Sequence, residues 1–477
     1  MASNPLLYQL LLVALVCLCF VLHALWPDER TGVRPTLRQP RPPRPKRSRE
    51  PKPFAGLIHK PRCAACEQAA ESGDKAPSTP PPLITSARGR KHTIDSQAQF
   101  CPDLDCSYYG WLGRGNIRSN GHPGGNPWRQ FQCVSCLGYF HQLHGTPLHG
   151  KHVSTDKLVW AVTALAEGLG IRAVARVFEV DPNTVLQWLL EAAEHLQAFS
   201  RYCLRDVHVE QVQMDELFAL LSAVKDGDIS EAEAIKRLSR SPHWVWVAMD
   251  PVSKLILTID VGDRTLALAQ RLVHQVAQVL VPDCAPLFLT DGFREYLTAL
   301  VTHYGQWMPP ERRQAQGPMP KPRWMPRPEL LYAQVVKSYR RRRIVGVKHH
   351  VVFGTLKTVQ EVLAKRGWQI NTAFVERLNL DFRQHIAAIG RRVNTLCKHE
   401  AGLRQQLALF QVYHNFVLPH ANLRQALTEP VPTNGTGSAK RWRPCTPAMA
   451  AGLTDRVWSL RDVVLFRVPP WPQPQSV

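Results

Sequence analysis

Hydrophobic and polar residues alternate along residues 205–305 in a pattern that predicts a mixed sheet flanked by helices. VHVEQVQMDE is typical of a strand, and HWVWVAM and KLILTIDVG predict a hairpin across a turn that begins with Asp250-Pro251. TLALAQRLVHQVAQVL repeats its apolar residues at helical spacing, APLFLTD predicts a buried strand ending at Asp291, and REYLTALVTHYG is helical again. The elements therefore follow the order strand, hairpin, helix, strand, helix.

That order predicts an α/β domain with the ribonuclease-H-like fold over residues 205–425. In this fold the first strand and the strand after the first helix lie side by side, so Asp215 and Asp291 would be neighbours. A Pro-rich, basic segment at 305–369 interrupts the order and predicts an insertion. It includes two strand-like runs around a cluster of four arginines, which favours a phosphate-binding patch, with a solvated hairpin rim as the alternative. The arginines are Arg340, Arg341, Arg342 and Arg343.

A helical unit over residues 151–200 precedes this domain. Ser154 is a candidate cap for a first helix, a short second helix starts near Ile171, and Asp181-Pro182 opens a third. The third helix leaves Asn183, Thr184 and Gln187 on its polar face, near the end where a recognition helix contacts base edges. The unit is interpreted as a helix-turn-helix DNA-binding domain, with an ordinary three-helix packing unit as the alternative.

The first 97 residues predict no globular core. Residues 6–26 form an apolar run that is long enough to span a bilayer as a helix, which would anchor an otherwise cytoplasmic protein to the inner membrane. A downstream translation start, or a peripheral or buried hydrophobic helix, explains the run equally well. Residues 27–97 are Pro-rich and basic, which predicts a disordered linker. We therefore treat 1–26 as a candidate transmembrane segment.

The twelve cysteines do not form the pattern of a disulfide framework. Cys101-x₄-Cys106 and Cys133-x₂-Cys136 flank a segment that is rich in Gly and aromatic residues, within residues 98–150. Four thiolates at this spacing can hold one tetrahedral Zn²⁺, whose binding stabilises a module too small to build a core. These residues predict a zinc ribbon with a structural Zn²⁺. Cys63 and Cys66 lack a second pair and are interpreted as free thiols.

The charge balance indicates a polyanionic partner. The chain carries 59 Lys and Arg against 38 Asp and Glu, for a formal net charge of +21 and a pI near 9.7. Cationic surfaces bind phosphates with release of counterions, so this composition favours nucleic acid.

A helix predicted from Asn371 carries a further acidic residue in a basic setting. Glu376, Asn379 and Arg383 share one face of this helix, and Arg391 and Arg392 follow it. Glu376 would then point into a metal site that cations surround, with Arg383, Arg391 and Arg392 holding DNA strands.

These features together resemble bacterial insertion-sequence DDE transposases over about residues 98–460. The resemblance rests on NTAFVERLNLDFRQHIAAIGRR, LFLTDGFREY, the cysteine ribbon, the helix-turn-helix and the segment TPAMAAGLTDRVW. The last of these segments lies within the predicted C-terminal tail at 426–477. It implies that Asp215, Asp291 and Glu376 are the catalytic carboxylates, and that double-stranded DNA, as transposon ends and target, is the substrate of a homo-oligomer. Glu216 follows Asp215 directly, so the first carboxylate is ambiguous by one position. Strand alternation favours Asp215.

Three carboxylates of this kind can hold two Mg²⁺ or Mn²⁺ ions about 3.5–4 Å apart, which would activate a nucleophile and stabilise the leaving oxygen at a scissile phosphate. The predicted activity is metal-dependent DNA cleavage and strand transfer. Two other classes remain open. One is a nuclease of the same fold that cuts without joining, and the other is a membrane-anchored zinc-ribbon and helix-turn-helix regulator.

Overall fold

The computed structural model describes residues 80–84, 96, 98–125, 127–219, 243–311, 321–341, 343–389, 397, 399–432 and 438–470. The predicted membrane segment at 6–26 lies outside these residues, as do Cys63, Cys66, Arg342, Arg391 and Arg392. Within the described part of the chain, no helix is both long and apolar enough to cross a membrane.

The first described module is a small three-stranded antiparallel sheet. Its strands, in the order β1-β2-β3, are β1 (Ile117–Ser119), β2 (Gln130–Cys133) and β3 (Tyr139–His141). Phe131 and Phe140 stack with ring centroids 5.7 Å apart, and the other side chains of this cluster include the buried Ile117 and Tyr108. So few apolar residues contribute little burial energy, and a module of this size needs a further cross-link to be stable.

Three helices follow, α1 (Thr155–Ala166), α2 (Ile171–Val177) and α3 (Pro182–Cys203). The predicted caps are observed, because Ser154 accepts a hydrogen bond from the Lys157 amide and Asp181 accepts one from the Asn183 amide. Each cap satisfies an amide that the first helical turn leaves without a partner.

The main sheet is mixed and has six strands. The elements that build its first part are β4 (Gln211–Phe218), β5 (Trp244–Met249), β6 (Ile256–Gly262), α4 (Leu266–Val279), β7 (Leu287–Thr290) and α5 (Glu295–Tyr304). Strand β5 pairs antiparallel with both β4 and β6, whereas β7 pairs parallel with β4. The predicted order of elements is therefore correct, including the side-by-side placement of the strands that carry Asp215 and Asp291.

The segment predicted as an insertion contributes to the sheet itself. A small hairpin of β8 (Gly305–Met308) and β9 (Arg323–Pro326) comes first, followed by β10 (Leu331–Arg340), β11 (Arg343–Phe353) and α6 (Leu356–Ala364). Strand β10 pairs parallel with β7 and antiparallel with β11, so the sheet has the order β11-β10-β7-β4-β5-β6. The prediction of an insertion at 305–369 was therefore wrong for β10, which contributes the buried residues Tyr332, Ala333 and Val335 to the core of the domain.

The remaining elements are α7 (Ala373–His385), α8 (Glu400–Val412), β12 (Gln425–Val431), β13 (Lys440–Arg443), α9 (Pro447–Ala450) and α10 (Leu460–Leu465). Helix α7 starts two residues later than predicted, after Thr372. Helices α7 and α8 cover one face of the sheet, and the larger core on the other face includes side chains of α4 and α5. The result is a mixed α/β fold consistent with the ribonuclease-H-like class.

The end of the chain packs back onto its first described modules. His195 of α3 donates through Nε2 to the carbonyl of Val463, 3.0 Å away. Arg467 is buried and donates to the carbonyls of His144 and Phe100 and to Oε1 of Gln99. Part of the predicted tail 426–477 is therefore built into the core.

Candidate functional site

Two acidic residues meet at one edge of the main sheet because their strands are parallel neighbours. Asp215 lies in the second half of β4, and Asp291 is the first residue after β7. Parallel strands end at the same edge of a sheet, which brings these carboxylates together across a long separation in sequence. Asp215 is not at the end of its strand as predicted, because β4 continues to Phe218.

Glu216 joins this pair, although its side chain lies on the other face of β4. Asp215 accepts a hydrogen bond from Asn379 of α7, whereas Glu216 lies beside Tyr296 of α5. One carboxylate oxygen from each of Asp215, Glu216 and Asp291 nevertheless lies within 4.8 Å of the others. Strand alternation therefore does not keep the two adjacent carboxylates apart, and both belong to the same cluster, which we call the acidic cluster.

Burial and mutual repulsion disfavour the charged forms of the carboxylates in the acidic cluster. Burial, followed by the charge of Asp291, raises the pKa of Asp215 to about 6. The same two causes raise the pKa of Glu216 to about 7. Buried carboxylates that repel one another favour protonation or the arrival of a positive charge.

Arg264, in the loop between β6 and α4, supplies one such charge. Its guanidinium donates to Oε2 of Glu216 at 3.1 Å and lies 3.5 Å from Oδ2 of Asp291. The same group is held against the rings of Phe293 and Trp244, at 4.2 and 5.2 Å from their centroids. Arg264 therefore partly neutralises the acidic cluster from a position that the aromatic rings fix.

Glu376 stands on α7 at the margin of the acidic cluster. Its charge contributes to the raised pKa of Asp215, but its carboxylate pairs with Lys337 of β10 and accepts a hydrogen bond from Thr372 Oγ1 at 2.6 Å. One turn later, Asn379 donates from Nδ2 to Oδ2 of Asp215 at 2.7 Å. Helix α7 thus approaches Asp215 through both residues, with Asn379 buried and Glu376 more exposed.

The donor atoms of the acidic cluster suit a hard divalent cation. They are carboxylate oxygens, which Mg²⁺ and Mn²⁺ prefer. Oδ1 of Asn379, beside Asp215, is buried without a hydrogen-bond partner among the described residues. Buried oxygens without partners are costly unless a ligand satisfies them. The residues present therefore fit a metal, with Asp215, Glu216 and Asp291 as the closest set.

A second candidate metal site lies in the small antiparallel module. The Sγ atoms of Cys101 and Cys136 are 3.6 Å apart, and those of Cys106 and Cys133 are 3.8 Å apart. Ligands about 2.3 Å from a tetrahedral metal are separated by about 3.8 Å, which matches these distances. Burial raises the pKa of Cys101 and raises that of Cys136 to about 11. Burial opposes ionisation of Cys133 too, but hydrogen bonds from Cys136 and Asn116 lower its pKa.

The predicted DNA-contacting residues occupy separate parts of the surface. Asn183 and Gln187 are exposed at the start of α3 and Thr184 is half-buried, although Gln187 donates to Glu191 at 2.8 Å. Arg340, Arg341 and Arg343 are exposed around the turn between β10 and β11. Arg383 is half-buried near the end of α7.

Sequence reasoning missed two residues of the site, Arg264 and Lys337, and the role of a third, Asn379. Arg264 is a single arginine in a loop, and Lys337 is one of many basic residues in its segment, so neither has a local signature. Asn379 was recognised as sharing a face with Glu376, but its bond to Asp215 depends on how α7 packs against β4.

No protein-family model matches this chain, and no curated protein matches it. Among solved structures, one titled "Crystal structure of the Mos1 Strand Transfer Complex" aligns with 52% of this chain and 82% of that chain. The aligned residues are 12% identical and the TM-score is 0.13. At this TM-score the similarity supports no conclusion about fold or activity.

Proposed function

We propose that this chain is a DDE transposase that cleaves and joins DNA strands with the help of divalent cations. The observation that supports this most directly is the convergence of Asp215 and Asp291 at one sheet edge, beside α7 with Glu376. A strongly basic chain with such a cluster favours a phosphodiester substrate, because cationic surfaces attract the DNA backbone.

In this proposal Asp215, Asp291 and Glu376 hold Mg²⁺ or Mn²⁺, and Glu216 contributes a further carboxylate oxygen. The bound cations would supply Lewis-acid stabilisation at the scissile phosphate and an activated oxygen nucleophile. Asn379 orients Asp215, and Lys337 holds Glu376 at the margin of the site. Arg264 offsets the charge of the cluster before a cation arrives.

The other modules would place DNA in reach of the acidic cluster. We assign residues 98–150 to a zinc ribbon with Cys101, Cys106, Cys133 and Cys136 as ligands, and residues 151–200 to a helix-turn-helix domain. Asn183, Thr184 and Gln187 would then contact base edges. The arginines at 340–343, with Arg383, Arg391 and Arg392, would contact phosphates, and a homo-oligomer would assemble on the DNA.

The test is a cleavage and joining assay on a labelled duplex that ends in the sequences flanking the coding region. With Mg²⁺ the wild-type protein should release a strand end and join it to a plasmid. Asp291→Asn and Glu376→Gln should each abolish both products while DNA affinity changes by less than about twofold, since metal binding and DNA positioning use different residues. Asp455→Asn, at an exposed carboxylate outside the cluster, is the matched control and should be fully active.

The assay also separates the competing classes. Cleavage without any joined product would favour a nuclease. DNA binding without cleavage in either Mg²⁺ or Mn²⁺ would contradict the proposal and favour a regulator.

A further inference from the structure

The hairpin of β10 and β11 extends past the sheet edge on which the acidic cluster lies. Only Leu331–Gln334 of β10 pair with β7, and Gln334 is opposite Thr290, the residue before Asp291. Beyond that point β10 pairs with β11 alone, as far as the Arg340 and Arg343 pair. We call residues 335–341 and 343–350 the arm.

The root of the arm is fixed against the catalytic elements on both faces. On one face, a side chain at Gly292 would lie 3.5 Å from Val336, so Val336 packs beside the loop that follows Asp291. On the other face, Lys337 pairs with Glu376 of α7. The arm therefore leaves the domain directly beside the acidic cluster.

The charge of the arm points to a polyanion. The sequence contains no Asp or Glu from Leu330 to Gln360, yet this stretch includes four consecutive arginines and three lysines. Arg340, Arg341, Arg343 and Lys348 are exposed. Their charges would repel a second copy of the same arm, whereas a phosphate backbone would neutralise them.

Apolar side chains are exposed on the same ribbon. Ile344, Val345 and Val347 are 54%, 61% and 49% exposed, and every residue of β11 from Arg343 to His350 is exposed. Binding to phosphates alone gives no reason to expose β-branched side chains to water. A surface that combines these residues with arginines suits the floor of a DNA groove, where apolar groups meet thymine methyls and arginines meet guanines or phosphates.

We infer that the arm lies in the major groove of duplex DNA, next to the phosphodiester that the acidic cluster would act on. This inference rests on the proposed function and specifies how its substrate is held. Six residues beyond Gln334 span about 20 Å, because a strand rises about 3.4 Å per residue. The major groove is about 12 Å wide and about 8.5 Å deep and accommodates a two-stranded ribbon, whereas the minor groove, about 6 Å wide, is too narrow.

The experiment compares two duplexes of identical mixed sequence, about four helical turns long. In one of them every cytosine carries a glucosylated 5-hydroxymethyl group, which fills the major groove and leaves the phosphates and the minor groove unchanged. The wild-type protein should bind the glucosylated duplex about tenfold more weakly, equivalent to about 1.4 kcal/mol.

Two variants identify the arm as the cause. In the first, Asn-Gly replaces Ser338–Gly346 and joins Lys337 to Val347, which are cross-strand partners, so that a two-residue turn closes the shortened hairpin. This variant should show a clearly smaller penalty than the wild type, because only the base contacts of the helix-turn-helix would still meet the glucosyl groups. The second variant, Arg340→Gln with Arg341→Gln and Arg343→Gln, should keep the penalty for glucosylation but reduce the slope of log affinity against log salt by up to about three.

Equal binding of both duplexes by the wild-type protein would overturn the inference, and so would a penalty in the shortened variant that is as large as that of the wild type. If the oligomeric mass of the shortened variant differs from that of the wild type in sedimentation without DNA, the arm instead mediates contacts between copies. Cleavage is measured separately on the unmodified duplex. If glucosylation weakens binding but no cleavage is detected, only the proposed activity is refuted. If cleavage occurs but glucosylation does not weaken binding, only the inference about the arm is refuted.

Discussion

Asn379 of α7 donates a hydrogen bond from Nδ2 to Oδ2 of Asp215, 2.7 Å away. This contact joins the helix that carries Glu376 to the strand that carries Asp215. It fixes the orientation of a carboxylate whose pKa burial and Asp291 raise to about 6. Partners that orient ligands in this way normally matter almost as much as the ligands themselves.

The first prediction follows from that contact. Asn379→Leu keeps the approximate volume of the side chain but removes the donor, so metal-dependent cleavage should fall by about 10 to 100-fold while DNA affinity is unchanged. Gln384→Leu, at an exposed position of the same helix, is the control and should leave cleavage unaffected. Full activity in Asn379→Leu would show that Asp215 needs no orienting partner.

The second prediction concerns the pH dependence of metal binding. Asp215 and Glu216, with pKa values of about 6 and about 7, hold protons that a cation must displace. Mg²⁺ affinity should therefore rise with pH up to about pH 7 and then level off. Titration calorimetry in buffers of different ionisation enthalpy should detect proton release at about pH 6 and almost none at about pH 8.5. Asp215→Asn should reduce the release, and an equal release at both pH values would contradict the site.

The third prediction concerns the four cysteines. Cys133→Ser should lower the metal content by about one zinc ion per chain and expose residues 98–150 to protease, because the module buries too few apolar side chains to fold alone. Cys203→Ser, at a half-buried cysteine of α3, should keep the full metal content. Metal analysis of the purified proteins measures the zinc content of the wild type and of each variant. A wild-type chain without zinc would refute the zinc ribbon.

The fourth prediction uses His414, which is fully buried and donates to the carbonyl of Lys254 at 3.0 Å. Burial lowers its pKa to about 4 in the folded state, whereas an unfolded histidine has a pKa of about 6.5. Between these values only the unfolded state binds the proton, so stability is complete above about pH 6.5 and is lost as the pH falls. The loss should reach about 3 kcal/mol near pH 4, at about 1.4 kcal/mol per pH unit.

Urea unfolding across this pH range measures that loss. His414→Gln keeps a donor for the Lys254 carbonyl but cannot titrate, so its stability should depend less steeply on pH than that of the wild type. His208→Gln, at an exposed position, should reproduce the wild-type slope. Identical slopes for His414→Gln and the wild type would contradict the neutral, buried histidine.

The fifth prediction concerns Arg467, which ties the end of the chain to the ribbon. It donates to His144 O at 2.9 Å and to Gln99 Oε1 at 2.8 Å, and lies over the Phe100 ring at 4.3 Å. Arg467→Met should cost about 2 to 4 kcal/mol, because it leaves buried acceptors without donors. A chelator should also remove zinc from this variant faster.

Arg461→Met provides the comparison for that change, because Arg461 lies on α10, is only half-buried and pairs with Asp156 near the protein surface. It should alter neither stability nor zinc release measurably, as expected for a surface ion pair. Equal behaviour of the two variants would show that Arg467 does not support the ribbon.

The sequence by itself determined the order and type of the elements, because the spacing of apolar residues reports which face of each strand or helix is buried. It also determined the helix caps at Ser154 and Asp181 and the four cysteines, since these signals depend on residues that are close in sequence. The adjacency of Asp215 and Asp291 followed from the order of the strands, which left few ways to pair them.

Only the tertiary structure decided which residues join the acidic cluster and where the sheet ends. Glu216 joins the cluster although its side chain lies on the other face of β4, and Arg264 and Lys337 come from a loop and a strand that are distant in sequence. Strand β10 was predicted as part of an insertion because its short run of buried residues lies within a Pro-rich, basic segment of the sequence. Long-range pairing and charge compensation depend on contacts between elements, and a local pattern does not encode them.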